Sequence, residues 1–238
     1  MWNKRVNEKE MRKDLKKSLE ELKTDYIDIY MLHRDDPDTD VAVAVETFNA
    51  MHEEGSIRAF GASNWMHTRI EEANEYAYKH NLIPFSVSSP NFCLARQIED
   101  PWGGGCVNIS GPENQEARAW YEKNQMPVIA YASLGRGFFS GRMKSEYADH
   151  ASDYLDSFAM TGYACSDNFE RLHRCEIIAE RHGVTVAQIA MNWIFSHPLN
   201  IFAIASMSKA DRMKANREAL LLQLSDEEIA YLDLETPE

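Results

Sequence analysis

The reactive side chains of this chain fall in small polar clusters, each placed just after an apolar run. "YIDIYMLHRDD" (Tyr26 to Asp36) leaves its apolar stretch on His33 and Arg34. Ser63 and Asn64 follow "SIRAFGA", Ser88 and Ser89 close "PFSVSS", and Tyr131, Ser133 and Arg136 lie in "PVIAYASLGRG". Ser208 and Lys209 follow "IFAIASM", with Arg212 one turn farther on. A histidine exchanges a proton near neutral pH. A lysine, an arginine and the unpaired N–H groups of a helix start together suit a phosphate. Singly, each cluster has a plain structural explanation: a serine or asparagine after a strand serves as the next N-cap, a strand-end histidine is often structural, and a lysine at a helix start is a solvated charge.

The elements behind these clusters alternate. Glu10 to Leu22 reads as a helix, because Met11, Leu15, Leu19 and Leu22 recur at helical spacing. Tyr26 to Leu32 reads as a strand, Val41 to Glu54 as a helix closed by Gly55, Ser56 to Asn64 as a strand and Thr68 to His80 as a helix. Phe85 to Ser89 is a third strand, followed by an irregular segment to Gly111. Pro112 suits the first position of a helix to Lys123. Pro127 to Leu134 is a strand, and a polar loop follows to Asp167. Helices are expected over Asn168 to Arg181 and Val186 to Ser196, the second opened by a Thr185/Gln188 capping box. Ile201 to Ser206 is a fifth strand; Ser208 with Asp211, and Ser225 with Glu228, start the last two helices.

Strands separated by helices imply parallel pairing, and near-continuous apolar strands imply burial on both faces. The class is therefore α/β, either an open doubly wound sheet or part of a (β/α)8 barrel. A dinucleotide-binding G-x-G-x-x-G after the first strand is absent, and "GRGFFSG" (Gly135 to Gly141) has the wrong place and spacing. That tilts the reading to the barrel, whose strand C-terminal ends share one functional mouth.

Composition narrows the partners. With 238 residues, 44% hydrophobic and 26% charged, the chain has the make-up of a folded domain. A formal net charge of -13 argues against nucleic acid and against a polybasic membrane contact. Cys93, Cys106, Cys165 and Cys175 have no CxxC spacing, which suits reduced thiols in a cytoplasmic protein and no metal site. The charged N-terminus lacks the apolar core of a signal peptide.

Four blocks, "SLEELKTDYIDIYMLHRDD", "GSIRAFGASNW", "YASLGRGFFSGR" and "SMSKADRMKANREAL…LSDEE", resemble consecutive blocks of the aldo-keto reductases, in order and spacing. The resemblance implies a (β/α)8 barrel, here a single domain over 1-238, and NADPH-dependent reduction of an aldehyde or ketone, with NADH the lesser cofactor. Residue by residue, it gives His33 to the histidine of an Asp-Tyr-Lys-His tetrad. Ser63 and Asn64 match the pair on the nicotinamide carboxamide, and Ser88 stands where many relatives have a glutamine. Tyr131 matches the aromatic under the nicotinamide; Leu134, Gly135, Arg136 and Gly137 match the pyrophosphate loop. Ser208, Lys209, Arg212 and Asn216 match the adenosine end, Lys209 and Arg212 facing a 2′-phosphate. Ser206 replaces a glycine common in the family. "DPWGGGCVNISGPEN" (Asp100 to Asn114) is an insertion, and its Trp102 is either a flap over the substrate or part of a plain surface loop.

The resemblance also predicts that the family's first three βα units, with the catalytic Asp, Tyr and Lys, are absent. About five strands would then form an incomplete barrel whose open edges invite a second copy or a complementing N-terminal chain. A reductase fragment, a pseudoenzyme that binds nucleotide or serves as a scaffold, and a rebuilt site with His33 as the acid are the readings this leaves.

Overall fold

The computed structural model describes residues 5–206 and 209–236. Its chain divides into two compact units, Met1–Ser89 and Pro90–Glu238.

In the first unit, helix α1 (Glu8–Leu22) starts where the Asn7 side chain accepts from the Glu10 N–H, and it ends at Lys23 in a left-handed conformation. Met11 and Leu15 are buried, but Leu22, on the same stripe, is left 63% exposed. Strand β1 (Ile27–Leu32), helix α2 (Val41–Glu53), strand β2 (Ile57–Ser63), helix α3 (His67–Lys79) and strand β3 (Val87–Ser89) follow. The strands pair in parallel, Ile27 opposite Ile57 and Leu32 opposite Ala62, then Gly61 opposite Val87 and Ser63 opposite Ser89. Gly61 has to be glycine: a Cβ there would lie 1.9 Å from the Val87 carbonyl oxygen. Phe48, Phe60 and Phe85 form the centre of the core, the first two stacked at 5.0 Å. Asn49, buried on α2, donates to the Val45 and Ile83 carbonyls and accepts from the Ile83 N–H, so it is a satisfied polar pin in an apolar site.

In the second unit, a 3-10 turn at Pro112–Asn114 leads into helix α4 (Gln115–Asn124). Strand β4 (Val128–Ala130) pairs in parallel with β5 (Ile201–Ala203). Between them the chain is less of a loop than its polar composition predicts. It holds 3-10 segments at Gly135–Gly137 and Ser145–Asp153 and the helix α5 (Ser157–Tyr163), and it buries Phe138, Phe139, Met143, Leu155 and Tyr163. Isolated apolar residues among short polar runs supply the burial without a long periodic pattern to announce it.

Helices α6 (Ser166–His182) and α7 (Val186–Phe195) precede β5; α8 (Ala210–Ala219) and α9 (Asp226–Leu232) follow it. The Thr185/Gln188 and Ser225/Glu228 capping boxes are both fully bonded. Helix α8 has Lys209 at its N-cap with no side-chain capping bond, and Ser208, expected to open it, lies outside the described residues. Arg174 of α6 donates to the carbonyls of Tyr231 and Thr236, tying down the segment after α9.

The α/β class and parallel pairing are as the sequence predicts. Burial on both faces is not: Ile29 of β1 is 48% exposed and Phe202 of β5 is 57% exposed.

Candidate functional site

In the first unit the strand-end polar residues bind the strands to one another. Asn64, held at a φ of 58°, donates from Nδ2 to the His33 carbonyl at 3.1 Å and to Ser63 Oγ at 3.0 Å. Ser63 Oγ in turn donates to the Ser89 carbonyl at 2.9 Å. Asparagine tolerates this left-handed conformation better than most residues. The structure thus joins four of the residues singled out from sequence, His33, Ser63, Asn64 and Ser89, with His33 exposed just beyond β1 and its backbone carbonyl fixed by Asn64. Ser88 is fully buried in β3 opposite Ala62.

Sequence reasoning passed over Asp35 as part of an acidic run. It pairs with Arg69 of α3 at 3.4 Å, both side chains largely buried. Burial raises the Asp35 pKa, and Arg69 only partly counters this. Arg69 also donates to the Thr39 carbonyl and lies over Trp65, so the pair holds the segment after β1 against α3.

In the second unit, residues far apart in sequence line one cleft of about 760 Å³. Leu134, Arg136 and Gly137 come from the turn after β4, and Arg212 and Asn216 from α8. Ser206, Ser133 and Ser140 add hydroxyls to the lining. Tyr131, Gly135 and Lys209 are not among the lining residues: Gly135 is buried under the turn, and Lys209 is exposed at its N-cap. Gly135, Arg136 and Gly137 all have positive φ, at 55°, 54° and 96°, and at Gly135 a Cβ would meet Phe138 Cβ at 3.1 Å. The backbone therefore turns tightly past the cleft only because glycines flank the strained Arg136.

The guanidinium of Arg136 is already engaged. Its Nε and Nη2 donate to the two carboxylate oxygens of Asp156 at 3.1 and 2.9 Å, and it lies over the ring of Phe158. These hydrogen bonds hold the Asp156 carboxyl below the usual aspartate value. Asp156 was missed because it lies in the stretch read as a loop; its sequence signal is an N-cap-type residue before Ser157, and it does cap α5. Two guanidiniums, one of them paired with Asp156, a carboxamide, several hydroxyls and the Asp211 carboxylate line a cleft of this size, in which Arg136, Arg212 and Asn216 are the residues that could hold a phosphate-bearing nucleotide.

Cys93 does not offer a competing nucleophile at this turn. Cys93 is fully buried, and desolvation pushes its thiol up to about 12. Among the described residues no group of three or more His, Cys, Asp and Glu is placed to hold a metal. No helix among them is long and apolar enough to cross a membrane.

The sequence model of the aldo/keto reductase family matches residues 1–234. The chain belongs to the aldo/keto reductase family. The match starts at residue 1 and does not mark the first three βα units as absent. Among curated relatives, the aldo-keto reductase YhdN of Bacillus subtilis (strain 168) is 24% identical over 227 residues, which covers 94% of this chain and 62% of that protein. Norsolorinic acid reductase of Aspergillus flavus is 25% identical over 226 residues, 94% of this chain and 52% of that protein. This aldo/keto reductase chain thus spans only part of the length of the curated relatives it matches. The crystal structure of a thermostable aldo-keto reductase, Tm1743, in complex with the inhibitor epalrestat, shares its fold: the TM-score is 0.69 at 23% identity, over 97% of this chain and 67% of that one.

Proposed function

We propose that this chain binds NADPH, in preference to NADH, and belongs to a protein that reduces a small-molecule aldehyde or ketone in the cytoplasm. The observation that carries the reading is the second unit's cleft, which gathers Arg136, Gly137, Arg212 and Asn216 from two separate segments. Bound NADPH would supply the hydride. Arg212 gives a 2′-phosphate a charged partner that a bare ribose would leave unpaired, with exposed Lys209 one turn before it. Ser63 and Asn64 would face the carboxamide, Tyr131 the nicotinamide ring, and His33 would orient the carbonyl of the substrate. The whole of 1-238 is read as one domain, part of a (β/α)8 barrel. The free thiols suit a reducing compartment.

A second reading, nucleotide binding without catalysis, rests on the resemblance itself, which gives only His33 of the family's tetrad a counterpart among these residues. Calorimetric titration with NADPH and NADH, followed by a carbonyl-dependent NADPH oxidation assay, separates the two. NADPH binding that weakens at least about tenfold in Arg212→Ala, together with turnover, supports the reductase. Binding without turnover supports the second reading. No binding of either nucleotide to the folded chain would overturn both.

A further inference from the structure

Trp102, in the second unit, is carried on a loop whose shape one carboxylate sets. Asp100 Oδ1 accepts from the Trp102 backbone N–H and Oδ2 from that of Cys106, both at 2.8 Å. Between those two anchors Gly103, Gly104 and Gly105 all take positive φ. Asn91 ties the far end of the loop, donating to the Val107 carbonyl at 2.8 Å and accepting from the Ile109 N–H at 3.0 Å. The indole is therefore delivered to a defined place rather than left on a free tether.

That place lies between Tyr131 and Arg136. The Trp102 and Tyr131 rings meet edge to face, with centroids 5.9 Å apart and an interplanar angle of 72°. The guanidinium carbon of Arg136 is 5.8 Å from the indole centroid, while Phe158 and Asp156 hold the same guanidinium by other contacts. An edge-to-face ring pair and a cation near an aromatic face each favour one relative orientation.

We propose that Trp102 is a positioning residue for a bound dinucleotide: it braces Tyr131 and Arg136 together, so that the nicotinamide and diphosphate contacts are preorganised as one piece. The inference rests on the nucleotide reading above. Residues held in their bound arrangement before the ligand arrives lose less freedom on binding, and that saving appears as affinity. The effect of Trp102 falls on the nicotinamide and diphosphate half of the ligand. The adenosine half relies on Arg212 and Asn216 of α8 and does not depend on the indole.

The test compares two ligands by calorimetry, NADPH and adenosine 2′,5′-bisphosphate, which keeps the adenosine end and lacks the nicotinamide. Trp102→Ala is expected to raise the NADPH Kd about tenfold and to change the bisphosphate Kd by less than about twofold, and Trp102→Phe to recover most of the loss. Unchanged NADPH affinity in Trp102→Ala overturns the inference and leaves the nucleotide reading standing. Equal weakening of both ligands also overturns it, since that outcome reports a general loss of structure. If the wild-type chain binds neither ligand, the nucleotide reading fails and the inference fails with it.

Discussion

Arg136 and Asp156 meet fork to fork, with Nε at 3.1 Å and Nη2 at 2.9 Å from the two carboxylate oxygens, and Asp156 Oδ1 also accepts from the Ala159 N–H at 2.8 Å. One aspartate thus holds the cation of the tight turn after β4 and caps α5. A bidentate pair is directional in a way that a lysine contact is not.

The pair sets a pH dependence whose sign follows from the direction of the shift. The Arg136 hydrogen bonds, the largest cause, lower the Asp156 pKa from its ordinary 3.8; burial opposes them, and the Ala159 N–H adds to the lowering. A carboxyl with a lowered folded-state pKa stabilises the fold above its unfolded value and loses that contribution as pH falls through the folded one. The contact should therefore persist through the neutral range and open only in strong acid. A carbon-detected NMR titration of the Asp156 carboxyl should give a midpoint below 3.8. A midpoint at or above that value would sink the claim.

His197 has the opposite chemistry and the same sign. Burial lowers its pKa from 6.5, although its Nδ1–H donates to the Trp193 carbonyl at 2.8 Å, and its ring packs against Trp193 and Phe92. Below the unfolded value the unfolded chain takes up a proton that the folded chain resists, so stability falls as pH falls from about 7 toward 5. Thermal melts across that range should show a smaller pH dependence in His197→Phe than in wild type. Identical slopes would rule out His197 as a source of the acid sensitivity.

Gly61→Ala should be among the most damaging single methyl additions in the first unit. The new Cβ would sit 1.9 Å from the Val87 carbonyl oxygen, a backbone atom held in the β2–β3 ladder. The expected loss is about 3 kcal/mol or more, by overpacking against groups that cannot rotate away. Gly55→Ala meets no atom within 4 Å, so its loss should come from the positive φ alone, about 1–2 kcal/mol. Urea midpoints of the two variants that fail to separate would refute the comparison.

Asn49→Leu removes the partner of both the Ile83 N–H and its carbonyl. Stability should drop by about 1–3 kcal/mol despite the gain in apolar volume, because buried backbone groups are left unpaired. An amide exchange rate at Ile83 equal to wild type would show that other groups had replaced the asparagine.

Much of this protein is legible from the order of its residues alone. Long amphipathic helices, the two capping boxes and the β1 and β2 strands lie within a residue or two of where periodicity and end signals place them, because those signals are local. Ser63 and Asn64 stood out for the same reason, as polar residues at the end of an apolar run. The short segments between β4 and α6 did not, since a seven-residue helix such as α5 owes its form to the burial of Ala159, Gly162 and Tyr163 more than to its own periodicity.

The site divides along the same line. Sequence alone supplied the candidate residues and the family's likeness, which depend on residue type and spacing. The convergence of the Arg136 turn and α8 on one cleft, the engagement of Arg136 by Asp156, and the placing of Trp102 beside Tyr131 came from the tertiary structure. Those contacts join residues 20 or more positions apart, and their geometry depends on how strands and helices pack, which no local pattern encodes.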